Sequence, residues 1–246
     1  MKADPKAIEK EAQTYLAQEK LGEAHRLFKN AAAIYRSQGD HKEAALCFAS
    51  AAGCWGRKSG EKTFFEAANL YKEAALQANR HLDFGYASLL YKYAAINYER
   101  DGEYLNFSTS FYRSRECHRK FLAQSILRPK KDRNILKAIF MWCVLTFSYI
   151  IWGHGERPSR TLVCAVLVVL LSALLYGMGT LLKGMEMIRP GLVESLYYST
   201  VTFTTLGYGD ITPVGWCKIV AMCEAFGGMF IMPLFIVGLS RKYLRM

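Results

Sequence analysis

The stretch Thr204-Thr205-Leu206-Gly207-Tyr208-Gly209-Asp210 decides the fold of this 246-residue chain, because it lies between two hydrophobic runs of membrane-spanning length. Gly207 and Gly209 can take positive φ without a Cβ penalty. Successive carbonyls can then all turn to one side instead of alternating as they do in a strand. Rings of backbone carbonyls can replace the hydration shell of a cation in a narrow pore. The stretch therefore predicts an ion filter, in which the Thr205 hydroxyl adds the innermost ring and four chains surround the ion.

This stretch resembles the filter signature of the potassium-channel pore superfamily, with Leu206 where the commonest version has Val. The resemblance implies a homotetramer with K⁺ as the permeant ion and no cofactor. Related nonselective cation channels lack the aromatic residue, so Tyr208 implies a preference for K⁺ over Na⁺. The side chain of Leu206 is expected to pack outward against the pore helix. The implied selectivity-filter residues are Thr205, Leu206, Gly207, Tyr208 and Gly209, with K⁺ bound at Thr205, Leu206, Gly207 and Tyr208.

The two runs that flank the filter are each long enough to cross a membrane. Residues 162–182 carry no charge, and residues 219–239 are interrupted only by Glu224. A helix needs about 20 residues at 1.5 Å each to cross a hydrocarbon core of about 30 Å. Two crossings place both termini in the cytoplasm of a cell membrane, either a plasma membrane or a bacterial inner membrane, because basic residues flank the cytoplasmic ends.

A third apolar run, 138–152, would reach only about 22 Å as a helix. Basic residues lie before it, within 128–137, and after it at Arg157 and Arg160. We therefore expect a helix that lies on the inner membrane surface, with the basic stretch 128–137 facing anionic lipid. A short or tilted third span is the alternative.

The residues before the filter are predicted to form a pore helix. Pro190-Gly191 makes a turn, and residues 192–204 follow it as a short helix. The negative end of its dipole would point towards the pore axis, which favours a cation there. By resemblance, Tyr197 and Tyr198 form a cuff that supports Tyr208 and Asp210, and Asp210 can hydrogen-bond to Tyr197 behind the filter.

The inner helix carries a glycine pair, Gly227-Gly228, where resembling channels have a gating hinge. Pro233 follows and removes a backbone hydrogen bond, so a bend is expected. Tight packing through Gly227 against the outer helix is the alternative. Glu224 is unexpected, because an ionisable group within a span is costly and usually faces protein or water. It is a candidate modulatory acid that braces the pore helix or lines the upper cavity, or else a tolerated protonated side chain.

The first half of the chain contains a repeat of about 21 residues, and a regular period of this length indicates a repeat architecture. The marked positions fall on one face of a helix in each unit. Examples are Glu23-Ala24, Phe28 and Ala31-Ala32 in one unit, which recur as Glu43-Ala44, Phe48 and Ala51-Ala52. The pattern resembles the tetratricopeptide-like superhelix of the soluble SNARE-disassembly adaptors. The resemblance implies an α-solenoid that binds a protein partner or ligand, or else a scaffold without a ligand.

The composition is that of a hybrid of a soluble and a membrane part. The net charge of +11 suits cytoplasmic flanks near anionic lipid and is not taken as a sign of nucleic-acid binding. The seven cysteines show no paired metal spacing and are expected to be free thiols. No triad, phosphate loop or zinc pattern indicates an enzyme.

The sequence therefore predicts an all-α protein: an α-solenoid of antiparallel helical hairpins, then a pore domain of two transmembrane helices with a re-entrant pore helix and filter loop. The expected domains are residues 1–125, a basic linker with an interfacial helix at 126–160, and the pore domain at 161–246. Within the pore domain we expect an outer helix at 161–183, a pore helix at 192–204, a filter at 205–210 and an inner helix at 216–240. The predicted function is a potassium-selective channel that the solenoid can regulate. The alternatives are a weakly selective cation channel and a membrane-anchored adaptor.

Overall fold

The computed structural model describes residues 4–57, 63–128 and 134–244, and it confirms the predicted fold class. Helices dominate throughout, and the only strands among the described residues are three short ones. The chain divides into two compact units, Met1–Phe147 and Ser148–Met246. The division falls within a single helix, at a position inside the predicted 126–160 linker.

The described part of the first unit consists of helices joined by short turns. Each of the first five packs against the next helix along the chain, which is the nearest-neighbour arrangement of a solenoid. The connections are short, and Gly39 ends one helix with a φ of 81°, the left-handed conformation that commonly terminates helices. The bounds are α1 Pro5–Ala17, α2 Leu21–Gln38, α3 His41–Arg57, α4 Thr63–Arg80, α5 Phe84–Arg100 and α6 Tyr104–Leu127.

The repeated face predicted from the sequence forms the core of this unit. On α2 and on α3 the repeated alanines are fully buried, and Phe28 and Phe48 lie among them. Small side chains let helix axes approach closely while the aromatic rings fill the grooves between them. Polar contacts then tie neighbouring helices together: the Tyr98 hydroxyl donates to Asn69 Oδ1 at 2.6 Å. The likeness to tetratricopeptide repeats remains a prediction.

The apolar helix that follows, α7 (Ile135–Trp152), is longer than the sequence suggested. With the 3₁₀ turn Gly153–Gly155 it forms an apolar segment of 21 residues, Ile135–Gly155. The argument that this run is too short to span is therefore wrong, because it left out the first residues and the final turn. One side of α7 packs against the end of α6, where Ala138 and Leu145 meet Leu122.

The second unit contains the pore-type elements, α8 (Pro158–Met178), β1 (Leu181–Lys183), β2 (Glu186–Ile188), α9 (Leu192–Phe203), β3 (Ile211–Pro213) and α10 (Cys217–Leu244). The outer helix was expected to reach 183 but ends at Met178, because Gly179 is extended. A Cβ at Gly179 would overlap Cys217 Sγ, so the chain passes α10 too closely there for another residue. The strands form a sheet in the order β2-β1-β3, all antiparallel.

The inner helix α10 runs without interruption through the glycine pair, and Pro233 lies inside it. The predicted hinge is thus continuous helix in this structure. Within residues 4–57, 63–128 and 134–244, three helical segments are long and apolar enough to cross a membrane: Ile135–Gly155, Pro158–Met178 and Cys217–Tyr243. The chain is therefore a membrane protein.

Candidate functional site

The filter segment has an alternating backbone. Thr205, Gly207 and Gly209 have positive φ angles of 59°, 58° and 80°, and the residues between them do not. An alternating sign of φ turns successive carbonyls to the same side, whereas a strand turns them to opposite sides. The geometry suits a column of oxygens that faces a dehydrated cation.

Thr205 is the surprising member of this series. A β-branched residue at positive φ is an outlier, and such strain costs on the order of 1–3 kcal/mol. Its cause lies in the end of the pore helix α9. The Leu206 N–H donates to the Val201 carbonyl, and the Thr205 N–H donates to the Thr202 carbonyl. These bonds make a Schellman motif, in which Thr205 holds the left-handed place usually taken by glycine.

The outer end of the filter is held by a hydrogen bond and by the sheet. The Tyr197 hydroxyl donates to Asp210 Oδ2 at 2.8 Å, which is the contact that the sequence analysis expects. Directly afterwards β3 pairs with β1, with Ile211 opposite Lys183. Both ends of the filter are therefore fixed by the described chain.

The other predicted cuff residue faces a different way. Tyr198 is buried, and its ring packs edge-on against that of Tyr176 on α8, with 4.7 Å between the ring centroids. The side chains of Leu206 and Tyr208 are exposed by 61% and 68% in the single chain. The packing of the Leu206 side chain against a pore helix therefore stays a prediction.

A groove of about 890 Å³ lies beside the filter. It is bounded by α9, the filter segment and the first half of α10, and Val201, Tyr208 and Met222 are among its lining residues. Its walls are mostly apolar, and the exposed side chain of Tyr208 borders it. The single chain therefore leaves an apolar surface uncovered at the filter.

The N-terminal end of the pore helix is capped by Glu194. Its carboxylate accepts from the Lys183 ammonium at 3.0 Å and from the Gly191 N–H at 3.2 Å. The hydrogen bond from Lys183, followed by that from Gly191, lowers the pKa of Glu194. A negative group at this end suits the helix dipole.

The inner helix meets the pore helix at Gly228. A Cβ there would overlap the Phe203 carbonyl oxygen, while a Cβ at Gly227 would meet no atom of the described chain within 4 Å. Gly228 thus allows the two backbones to touch at the last residue of α9. The alternative to a hinge was close packing of Gly227 against the outer helix. Close packing is present, but it involves Gly228 and the pore helix.

Glu224 lies one helical turn before Gly228 and is buried, with 3% of its surface exposed. Its Oε2 accepts from the Tyr176 hydroxyl at 2.7 Å, its Oε1 contacts the Ser199 hydroxyl, and Ser172 also hydrogen-bonds to it. Of the two placements suggested by the sequence, the structure has the one beside the pore helix. Ser172, Tyr176 and Ser199 were missed, because nothing local marks a polar residue on a membrane helix as the partner of a distant acid.

Among the described residues, no group of three or more His, Cys, Asp or Glu side chains could hold a metal ion. The cation-binding groups available at the filter are backbone carbonyls and the Thr205 hydroxyl. Such oxygens suit a weakly bound ion that passes through.

Two apolar helices, a short pore helix between them and a filter with this backbone define a pore-loop domain. Residues 162–245 match the family model described as "Ion channel", so this segment is similar to the pore domains of that family. Protein LctB of Bacillus caldotenax is 48% identical over 46 residues, and Protein LctB of Geobacillus stearothermophilus is 50% identical over 46 residues. These matches cover 19% of this chain and 34% of each relative, so the chain spans about a third of the length of the curated relatives it matches. No solved structure matches the chain.

Proposed function

We propose that this protein is a homotetrameric potassium-selective channel that conducts K⁺ passively through the filter Thr205–Gly209. The observation that carries the proposal is the alternating backbone at Thr205, Gly207 and Gly209. It supports a column of inward carbonyls, with K⁺ held at Thr205, Leu206, Gly207 and Tyr208. Ions would move down their gradient by exchanging hydration water for these oxygens.

The uncovered surface beside the filter supports a tetramer. Leu206 and Tyr208 are mostly exposed in the single chain, and the groove beside Tyr208 is large and apolar. A second copy placed beside the first would fill this groove and turn the Leu206 side chain into a buried one. Four copies around one axis would also close the ring of carbonyls around the ion.

The proposed topology keeps α8 and α10 as spans and places α7 at the inner membrane surface. The contact of Ala138 and Leu145 with Leu122 supports this placement, because it holds the first half of α7 beside the charged helix α6. Both termini then face the cytoplasm. The anionic-lipid contact proposed for 128–137 rests largely on residues 129–133, which lie outside the described residues.

The solenoid is proposed to regulate the pore by binding a protein partner or a ligand, and nucleic acid is not among the expected partners. Its helices expose charged and polar side chains around an alanine-rich core, as binding solenoids do. The channel-type pore domain also favours transport over catalysis.

The decisive experiment is the reversal potential of the purified protein in planar bilayers under opposed K⁺ and Na⁺ gradients. We expect a value near the K⁺ potential, shifted towards zero in Tyr208→Asp and unchanged in Tyr104→Asp, a matched substitution in the solenoid. A value near zero in the wild type would favour a weakly selective cation channel. Absence of current in the wild type and in a variant without residues 1–125 would favour an adaptor.

A further inference from the structure

The polar cluster around Glu224 joins three helices behind the filter. Glu224 belongs to the inner helix α10, Ser199 to the pore helix α9, and Tyr176 and Ser172 to the outer helix α8. The carboxyl group is buried together with these hydroxyls. It is the single acidic side chain buried in the described part of the protein.

The number of hydrogens in this cluster decides the charge of the acid. The Ser199 hydroxyl lies 2.8 Å from the Val169 carbonyl oxygen and also contacts Glu224 Oε1. A serine hydroxyl has one hydrogen, and a backbone carbonyl can only accept. If Ser199 donates to Val169, an ionised Glu224 would face Ser199 acceptor to acceptor. A neutral Glu224 resolves the conflict, because its own O–H donates to Ser199 Oγ.

The contacts of Glu224 with Tyr176 and Ser199, and of Ser199 with Val169, are all satisfied in that arrangement. The Oε2 atom of the neutral acid accepts from the Tyr176 hydroxyl, Oε1–H donates to Ser199, and Ser199 donates to Val169. Buried polar groups are costly unless they are paired, and here the hydroxyl groups of Tyr176, Ser199 and Glu224 each have an acceptor. A protonated carboxyl group is thus the form that the geometry accommodates.

The surroundings agree, because no Lys, Arg or His of the described residues forms an ion pair with this carboxyl group. The titratable groups that face Glu224 are Tyr176 from α8 and Tyr198 from α9, and Cys217 from its own helix interacts with both tyrosines. None of these carries a positive charge. None of the ion pairs found in the described ranges includes Glu224.

We propose that Glu224 is a positioning residue that acts as a neutral hydrogen-bond donor and fixes the pore helix between the outer and inner helices. It lies one turn from Gly228, which touches Phe203 at the end of the same pore helix. The inner helix therefore holds α9 at two adjacent levels, and the filter begins just beyond the second. The effect on ion selectivity rests on the proposed channel function, whereas the protonation state does not.

The first test compares isosteric and truncating variants by reversal potential. Glu224→Gln keeps a donor for Ser199 and an acceptor for Tyr176, so we expect its Na⁺/K⁺ permeability ratio to equal that of the wild type. Glu224→Ala and Ser199→Ala should each raise the ratio about tenfold, the factor that corresponds to about 1.4 kcal/mol. Cys223→Ala, a change at the exposed neighbouring residue, is the control and should leave the ratio unchanged.

Non-additive effects of the two substitutions on the permeability ratio would show that Glu224 and Ser199 act as a pair. The double variant Glu224→Ala/Ser199→Ala should resemble either single variant, because both remove the same link. A Glu224→Gln variant as impaired as Glu224→Ala would overturn the neutral-donor role. A Glu224→Ala variant with wild-type selectivity would overturn the positioning role.

Infrared spectroscopy supplies a readout that does not depend on current or selectivity. The spectrum of the wild type minus that of Glu224→Gln should show the carbonyl stretch of a protonated carboxylic acid at neutral pH. Carboxylate bands in its place would overturn the proposal even if the channel is potassium-selective. A wild type that fails to select K⁺ but shows the protonated band would refute the proposed function and leave the neutral donor standing.

Discussion

Single residues carry the strain and the close contacts of the pore. Thr205 has a positive φ, which β-branched residues avoid. It takes this conformation because it terminates the pore helix and is also the first residue of the filter. Gly228 touches a carbonyl oxygen that belongs to fixed backbone. Both positions place the unusual feature at the junction between pore helix and filter, where a small displacement moves the ion-binding oxygens.

The two neighbouring glycines should respond oppositely to the same substitution. Gly228→Ala would drive a methyl group into the Phe203 carbonyl, and overpacking of this kind costs about 1–3 kcal/mol. Gly227→Ala has open space in the chain and gains up to about 1 kcal/mol of helix propensity. Thermal unfolding in detergent should therefore show a lower midpoint for Gly228→Ala only. Equal midpoints with an altered open probability would instead support the hinge.

The buried thiols of the solenoid should be unreactive while the protein is folded. Burial, reinforced by Glu9, raises the pKa of Cys47 to about 12, and burial raises the pKa of Cys117 to about 11. The thiolate is the reactive form, so at pH 8 a maleimide should spare these two buried thiols in the folded protein and label them once the protein is unfolded.

The same shifts set a pH window for the stability of the solenoid. A pKa raised above its ordinary value of 9.0 leaves stability intact below about pH 9 and removes it as the pH rises towards the folded value. Helix content followed by circular dichroism should fall in that range, and the fall should be smaller in Cys47→Ala. Rapid labelling of Cys47 at pH 8 in folded protein would contradict this account.

At the scale of elements, α7 is the helix whose setting matters most. Its length permits a crossing, whereas its contact with α6 and the basic residues on either side favour the inner surface. The end of α7 is also tied to the start of α8, because Arg160 donates to the Tyr149 carbonyl at 2.9 Å. A surface placement therefore fixes the side on which the first unit lies.

A cysteine-accessibility experiment separates the two placements. In a background with Cys143 and Cys223 replaced by Ser, a cysteine at Leu136, whose side chain is 79% exposed, should resist an impermeant thiol reagent applied outside intact cells. A cysteine at Met185, 99% exposed on the outer hairpin, should react and serves as the positive control. Reaction at both positions would establish α7 as a third span.

Regular elements followed from the sequence, and irregular ones did not. The pore helix was predicted at 192–204 and is Leu192–Phe203, because a turn before it and the filter after it leave little freedom. The three-residue strands were missed, since segments so short show no period. The glycines at 207 and 209 predicted positive φ angles. The positive φ of Thr205 could not be predicted from its residue type, because it follows from the end of the preceding helix. Glu224 drew attention as an isolated acid, whereas its partners depend on the packing of three helices.

For the whole molecule, assembly and ion binding are expected to be linked. In the proposed tetramer, neighbouring copies would cover the exposed filter side chains and the groove, and an ion at the centre would bind all the copies at once. A ligand that binds only the assembled form stabilises it by about 2.7 kcal/mol at a hundredfold excess over its Kd. The stability of the complete protein should therefore depend on the cation in the buffer.

Replacing K⁺ is a direct test of this linkage. The thermal midpoint of the tetramer in detergent should fall when K⁺ is exchanged for Na⁺ at constant ionic strength, and it should return when K⁺ is restored. Gly207→Ala, which strains a residue at positive φ, should weaken this dependence. Identical midpoints in the two salts would argue against a K⁺-binding filter.

The sheet at the outer mouth limits how this pore can fail. The filter is a short segment that is anchored at both ends. The Schellman motif holds its inner end, and the pairing of β3 with β1 holds its outer end. A filter segment so short, with both ends fixed, cannot move away from the pore axis when an ion departs. It can only rotate single peptide planes out of line, so interruptions of conduction should be local, brief and reversible, and should not require the inner helix to bend.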